Sequence, residues 1–234
     1  NYLRTFSGLG NASVRWICST KEATIKEALS KVKVKASVKF TTNYRDVLED
    51  KEVDAVAIVT PASTHYPIAK EALESGKHII VEKPFVLSSR DAERLIRIAD
   101  ERKRVLMAGH LHLYNPPIRR LKADIINGLF GKINYIDISH FGNGPVRSDI
   151  GVVWDFFPHS ISILLYLLEE CPVEVSVNGA SFIKEGIEDI AVMNLKLPNN
   201  IFAASTGSWL HPLKKMNITI VGEKMYATFD DYAL

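Results

Sequence analysis

Cysteine is almost missing from this 234-residue chain. Only Cys18 and Cys171 occur, which argues against a disulfide scaffold. Long apolar runs are missing as well: no stretch of about 18 uncharged apolar residues is present, so the sequence offers no membrane span. The opening NYLRTF lacks the layout of a secretory signal. Nor is either charge in excess. The 29 basic residues nearly balance the 27 acidic ones without clustering, so the electrostatic footprint of a nucleic-acid binder is absent. There is no H-x-x-x-H or Cys/His metal spacing, no G-x-S-x-G elbow, no P-loop, no repeat and no low-complexity linker. These absences leave a globular, cytosolic chain whose 47% hydrophobic content is ample for one large or two moderate cores.

What is present has a rhythm. Apolar strand-like runs at 14–18, 38–40, 54–60, 78–82 and 105–110 alternate with helical patterns. The clearest helix runs over 89–104, where Ala92, Leu95, Ile96 and Ala99 recur at i, i+3, i+4 and i+7 behind Ser88 and Asp91 at capping-box spacing. The segment 64–76 ends in Gly76, a natural helix stop. Such alternation predicts an α/β domain, a Rossmann-type doubly wound parallel sheet, over residues 1–111. Over 112–234 the pattern changes to two helices, 115–131 and 154–170, among strands joined by hairpin-like turns. That predicts an α+β domain with an open-faced, largely antiparallel sheet.

In open parallel sheets ligands gather beyond the carboxyl ends of the strands. Ser19 and Thr20, Thr60 and Pro61, and Glu82, Lys83 and Pro84 all fall at such ends. Lys83 reads in two ways: as a solvated lysine in a tight turn with Glu82 as its ion-pair partner, or as an ammonium held over a crevice to favour a developing alkoxide. Gly8-Leu9-Gly10 looks like a dinucleotide fingerprint, but it precedes a strand instead of following one, and reads as a helix-ending turn.

In the second half, Pro158 is tolerable only in a first turn, which predicts a helix beginning near Asp155. Asp155 and His159 then lie four apart on one side of the helix start. A carboxylate beside an imidazole can make it a competent proton acceptor. Asp155 as a plain N-cap and His159 as a partly buried helix histidine stay open as the alternative. His78, His110, His112, His140 and His211 carry no such pattern.

Taken in order, Thr60-Pro61 with His65, the strand ending Glu82-Lys83-Pro84, the GH-x-x-x-YNP stretch from Gly109 to Pro116, and Asp155-x-x-Pro-His159 resemble the glucose-fructose oxidoreductase / inositol dehydrogenase / MocA family across essentially the whole chain. The resemblance implies an N-terminal domain binding NAD or NADP and a C-terminal domain carrying the substrate site and an oligomer interface on its sheet. By that likeness Lys83 would contact nicotinamide and the substrate hydroxyl, and His159 would be the acid/base. Asp155 would orient substrate or His159, and Thr60, Pro61, His65 and Glu82 would line the cofactor. A cis peptide before Pro84 would aim Lys83. Tyr114 and Arg147 are candidate substrate contacts, Arg147 for a carboxylate or phosphate.

The chain departs from the family pattern in several places. The family's first strand and glycine-rich turn would precede Asn1, and further structure would follow Leu234, so the chain reads as a fragment. Ser160 and Ser162 stand where acidic residues often follow the histidine. Ser19, Thr20 and Lys21 stand where an acidic residue usually closes the second strand, which tilts the cofactor toward NADP. The expected activity is hydride transfer between NAD(P) and a secondary alcohol of a sugar, nucleotide-sugar or cyclitol in a homo-oligomer with no nucleic-acid or membrane partner. A non-catalytic NAD(P)-binding regulator and an NAD-assisted lyase or glycosidase are the alternatives.

Overall fold

The computed structural model describes residues 2–35, 37–143 and 146–231. The chain divides into two units, Asn1–Gly109 and His110–Leu234.

The first unit opens with helix α1 (Tyr2–Gly8), which ends at the Gly8-Leu9-Gly10 turn as the sequence suggests. Strand β1 (Trp16–Cys18), helix α2 (Glu22–Lys31), β2 (Lys39–Thr41) and α3 (Tyr44–Glu49) follow. Then come β3 (Ala55–Ile58), α4 (His65–Glu74), β4 (His78–Val81), α5 (Ser89–Arg102) and β5 (Leu106–Ala108). Every strand pairing is parallel.

One feature differs from a continuous sheet. The strands form two pieces, β1–β2 and β3–β4–β5, with no ladder joining β1 to β3 among the described residues. Helix α3 ties the pieces together: it packs on β1 and β2, while its Leu48 belongs to the apolar cluster of Ile58, Leu73, Ile79 and Val81. Just after α3, Asp50 accepts from Trp16 Nε1 and Arg15 Nε, both at 2.8 Å. These donors hold the Asp50 carboxyl well below the usual carboxylate range. The buried ammonium of Lys77 donates to the carbonyls of Asp50 at 2.7 Å and Val53 at 2.9 Å, joining the Val53 N–H on the first of them.

The second unit holds α6 (Pro116–Ile126), β6 (Ile133–Phe141), α7 (Val152–Leu168), β7 (Glu174–Ala180), β8 (Ile190–Leu197), β9 (Ile201–Ser208), β10 (Lys215–Gly222) and β11 (Tyr226–Asp230). Its six strands lie in the order β11-β10-β6-β9-β8-β7, and only β6–β9 is parallel. One face is a core: Ala191, Met193, Leu195 and Leu197 alternate along β8, and Met216, Ile218 and Ile220 along β10. Phe157, Ile163, Leu164 and Leu167 of α7 pack on this face. The opposite face is open and displays Tyr135, Val192, Lys196 and Phe202. At Gly222, where the β10–β6 register shifts, an added Cβ would lie 2.3 Å from the Phe130 carbonyl oxygen, so only glycine fits the bulge.

Helix α7 corrects one expectation. It begins at Val152, not near Asp155, and Pro158 lies inside it. The extra turn is held from outside: Val152 is fully buried, and its N–H donates to the Glu188 carbonyl at 2.8 Å. Tertiary burial thus outweighs the hydrogen bond that Pro158 cannot make. Among the described residues no helix is long and apolar enough to cross a membrane.

Candidate active site

In the first unit the site residues are set by where two parallel strands stop. Ile58 of β3 pairs with Val81 of β4, and the last bond between the strand ends runs from Glu82 N to Ile58 O at 2.9 Å. Beyond it the chains leave the ladder as Thr60-Pro61 and Lys83-Pro84. The Lys83–Pro84 peptide is cis. The Lys83 N–H donates to Glu82 Oε2 at 2.9 Å. The Tyr2 phenol, from α1, shares that carboxylate; burial first, then the Glu82 charge and hydrogen bond, push it up to about 12. Gly109 leaves room for the pair, since a Cβ there would stand 3.1 Å from Tyr2 Oη and 3.3 Å from Glu82 Cα.

Thr64 Oγ1 lies 2.7 Å from both Thr60 Oγ1 and the Pro61 carbonyl, bracing the first turn. His65 is 1% exposed and turned inward, with both ring nitrogens 2.8 Å from backbone carbonyl oxygens, those of Pro84 and Thr60. It therefore joins Thr60 to Pro84. At the end of β1, Ser19 N donates to the Thr41 carbonyl at 3.2 Å, and Thr20 is exposed. The neighbouring Cys18 thiol is pushed up by burial and by the Asp46 carboxylate. The hydroxyls of Ser19, Thr20 and Thr60 and the Lys83 ammonium have the chemistry that the hydroxyl- and phosphate-rich body of a nicotinamide dinucleotide asks for, and the Glu82 carboxylate is already engaged by the Lys83 N–H and the Tyr2 phenol.

In the second unit α7 buries His159 among other rings. His112, from the turn over Leu111–Tyr114, meets it edge-on with centroids 4.6 Å apart. His140 of β6 stands 5.7 Å from it and stacks on Phe156 at 4.0 Å. One turn earlier, Asp155 Oδ2 accepts from Trp209 Nε1 at 3.0 Å, and Asp155 Oδ1 lies 3.6 Å from Arg147 Nη1. Arg147 also forks onto Asp149, through Nε at 3.0 Å and Nη2 at 2.8 Å. So Arg147 and Asp155 come together, with two carboxylates facing one guanidinium. Tyr114 is largely exposed, with the Arg119 guanidinium 5.3 Å over its ring.

Ser160 and Ser162 have local partners. Ser205 Oγ donates to Ser160 Oγ at 2.8 Å inside the core, and Ser162 Oγ donates to the His159 carbonyl at 2.9 Å. Four side chains at these two centres were not singled out by sequence: Tyr2, His112, His140 and Trp209. Nothing local in the sequence marks them, because each arrives from a different element. Among the described residues no group of three His, Cys, Asp or Glu side chains is arranged to hold a metal ion.

Two family descriptions match this chain: an oxidoreductase family with an NAD-binding Rossmann fold over residues 2–110, and the GFO/IDH/MocA C-terminal domain over residues 118–228. The UDP-N-acetylglucosamine 3-dehydrogenase of Acidithiobacillus ferrooxidans is 34% identical over 182 residues, which cover 76% of this chain and 56% of that protein. The structure of a putative oxidoreductase from Magnetospirillum magnetotacticum superposes with a TM-score of 0.89 at 29% identity, covering 100% of this chain and 74% of that one. In fold alone, the WlbA dehydrogenase of Bordetella pertussis, solved with NADH and UDP-GlcNAcA, matches at a TM-score of 0.84 and 24% identity, covering 95% and 67% of the two chains. The chain spans about half the length of the curated relatives it matches, 56%, 52% and 49% of three of them. Two adjoining domain matches, each falling on the unit whose fold it describes, place this chain in the Gfo/Idh/MocA oxidoreductase family.

Proposed function

We propose that the protein is an NAD(P)-dependent oxidoreductase moving a hydride between nicotinamide and a secondary alcohol of a sugar, nucleotide-sugar or cyclitol. The observation that carries this reading is the retention of Lys83, Asp155 and His159 together in a chain of this family. A protein that only sensed the cofactor would need no acid/base set. The likeness to a UDP-N-acetylglucosamine 3-dehydrogenase supports a nucleotide-linked sugar among these substrates.

A bound nicotinamide supplies the hydride acceptor or donor. The chain's own residues do the rest. The Lys83 ammonium favours the partial negative charge on the reacting oxygen, and the His159 imidazole takes or returns the hydroxyl proton. Asp155 orients the substrate or His159, and Trp209 and Arg147 hold that carboxylate in place. Tyr114 and Arg147 contact the substrate. Ser19, Thr20, Thr60, Pro61, Glu82, Lys83 and Pro84 make the cofactor's surroundings, while His65, expected among them, is buried behind Thr60 and Pro84 and supports them from within. Ser19 and Thr20 followed by Lys21 favour NADP, since a carboxylate at the β1 end would repel its 2′-phosphate. The nearby Asp46 has its oxygens engaged by Thr41 and Asn43. The open face of the second unit's sheet serves a homo-oligomer.

The test is to purify the full-length enzyme, offer NAD or NADP with a panel of sugars, nucleotide-sugars and inositols, and follow reduced-cofactor absorbance. Turnover should fall about 100- to 10,000-fold in Lys83→Met and His159→Asn. Unchanged turnover would sink the role assignment; tight cofactor binding with no turnover on any substrate would point to a regulator.

A further inference from the structure

The ring of His65 lies between two oxygens that can only accept. Its Nδ1 is 2.8 Å from the Pro84 carbonyl and its Nε2 is 2.8 Å from the Thr60 carbonyl. A neutral imidazole donates from one nitrogen alone, so the ring makes both bonds only when both nitrogens carry hydrogen. The ring is 1% exposed and offers no free edge to a ligand. Its two partners sit where the strand ladder has stopped, past the Glu82 N to Ile58 O bond. The Lys83 N–H is turned into the Glu82 side chain and Pro84 has no N–H, so neither can donate back to the Thr60 turn. His65 thus spans the two strand-end turns where the backbone no longer does.

We propose that His65 is a positioning residue, a doubly donating clasp that sets the Lys83-Pro84 turn against the Thr60-Pro61 turn and so fixes where the Lys83 ammonium can reach. The assignment of a purpose to that reach rests on the reading of Lys83 above; the clasp itself does not.

Three variants of the full-length enzyme separate the clasp from simple filling of space. His65→Asn keeps a donor near the Nδ1 position, His65→Gln keeps one near Nε2, and His65→Phe keeps an aromatic ring with no donor. The clasp predicts that kcat falls about 10- to 100-fold in His65→Phe, with a smaller change in KM for the cofactor, and less in the Asn and Gln variants. Hydrogen exchange at the amides of residues 60–64 and 82–86 should quicken in the same order. Nitrogen-detected NMR of the wild-type ring, in the buffer of the turnover assay, should show hydrogen on both nitrogens, as two carbonyl partners require. A Phe variant with wild-type kcat and exchange, or a wild-type ring with one bare nitrogen, would overturn the proposal. The NMR arm needs no variant to fold. If the wild type turns over no alcohol while the ring is doubly protonated and exchange follows the predicted order, the clasp stands and the proposed activity falls.

Discussion

The Trp209–Asp155 hydrogen bond gives the sharpest test of how the second unit holds its carboxylate. Trp209 is 3% exposed and belongs to the main core, and its Nε1 reaches Asp155 Oδ2 at 3.0 Å. Trp209→Phe removes the donor and part of the ring. A hydrogen bond to a charged acceptor contributes about 1.5–3 kcal/mol. The lost ring volume adds about 1–2 kcal/mol from reduced burial and the space left behind. The substitution should therefore destabilise the second unit by about 2.5–5 kcal/mol. In an Asp155→Ala background the donor has no carboxylate to serve, so the same change should cost less by about 1.5–3 kcal/mol. Chemical denaturation of the four proteins of this cycle, followed at the transition of the second unit, measures the difference. Equal costs in the two backgrounds, within about 0.5 kcal/mol, would refute the bond as the means of holding Asp155.

Four further outcomes follow from the first unit. The Tyr2 phenol, raised from 10.0 to about 12, should form phenolate about two pH units later than a free tyrosine in an ultraviolet absorbance titration; because the folded value is raised, the stability linked to it is complete below pH 10 and is lost as pH rises through 12. Glu82→Gln should move that titration only part of the way back, since burial is the larger cause. Asp50 works in the opposite sense: its folded value is depressed, so the stability it confers is complete above about pH 4–5 and is lost as pH falls, and Asp50→Asn should flatten the acid limb of a pH–stability curve. Lys77→Met should destabilise the first unit by about 1–3 kcal/mol in urea, because the carbonyls of Asp50 and Val53 lose a shared buried donor.

Elements with a strong local signal were legible from sequence. Of the 3.6-residue stripe of Ala92, Leu95, Ile96 and Ala99, Leu95 and Ala99 become the buried face of α5 with Ala92 packed beside them while Ile96 is exposed, and the hairpin-like turns of the second half become the antiparallel pairs β8–β9 and β10–β11. Gly76, with φ of 76°, ends its helix where sequence put the stop. The start of α7 was not legible, because the anchor of its first turn is the Glu188 carbonyl, 36 residues further along the chain from Val152. Local rules weigh Pro158 against its neighbours; they cannot weigh a fully buried Val152.

The same distinction separates the two site centres. At the ends of β3 and β4 the chemistry-bearing residues are contiguous with the strands that aim them, so Thr60, Glu82 and Lys83 can be read directly from strand ends. Around His159 the arrangement is made by register and crossing: His112 comes from a short turn, His140 from β6 and Trp209 from the end of β9. Each looks unremarkable in its own segment. Even the departure at Ser160 and Ser162 reads differently once partners are known, since one hydroxyl pairs with Ser205 in the core and the other with the His159 carbonyl. An acidic side chain at Ser160 would place a carboxylate in that fully buried site beside Ser205, without a cation among the partners seen there. Serine at this position is therefore tied to the packing of α7 on β9, and the chemistry near His159 must come from residues that other elements bring to it.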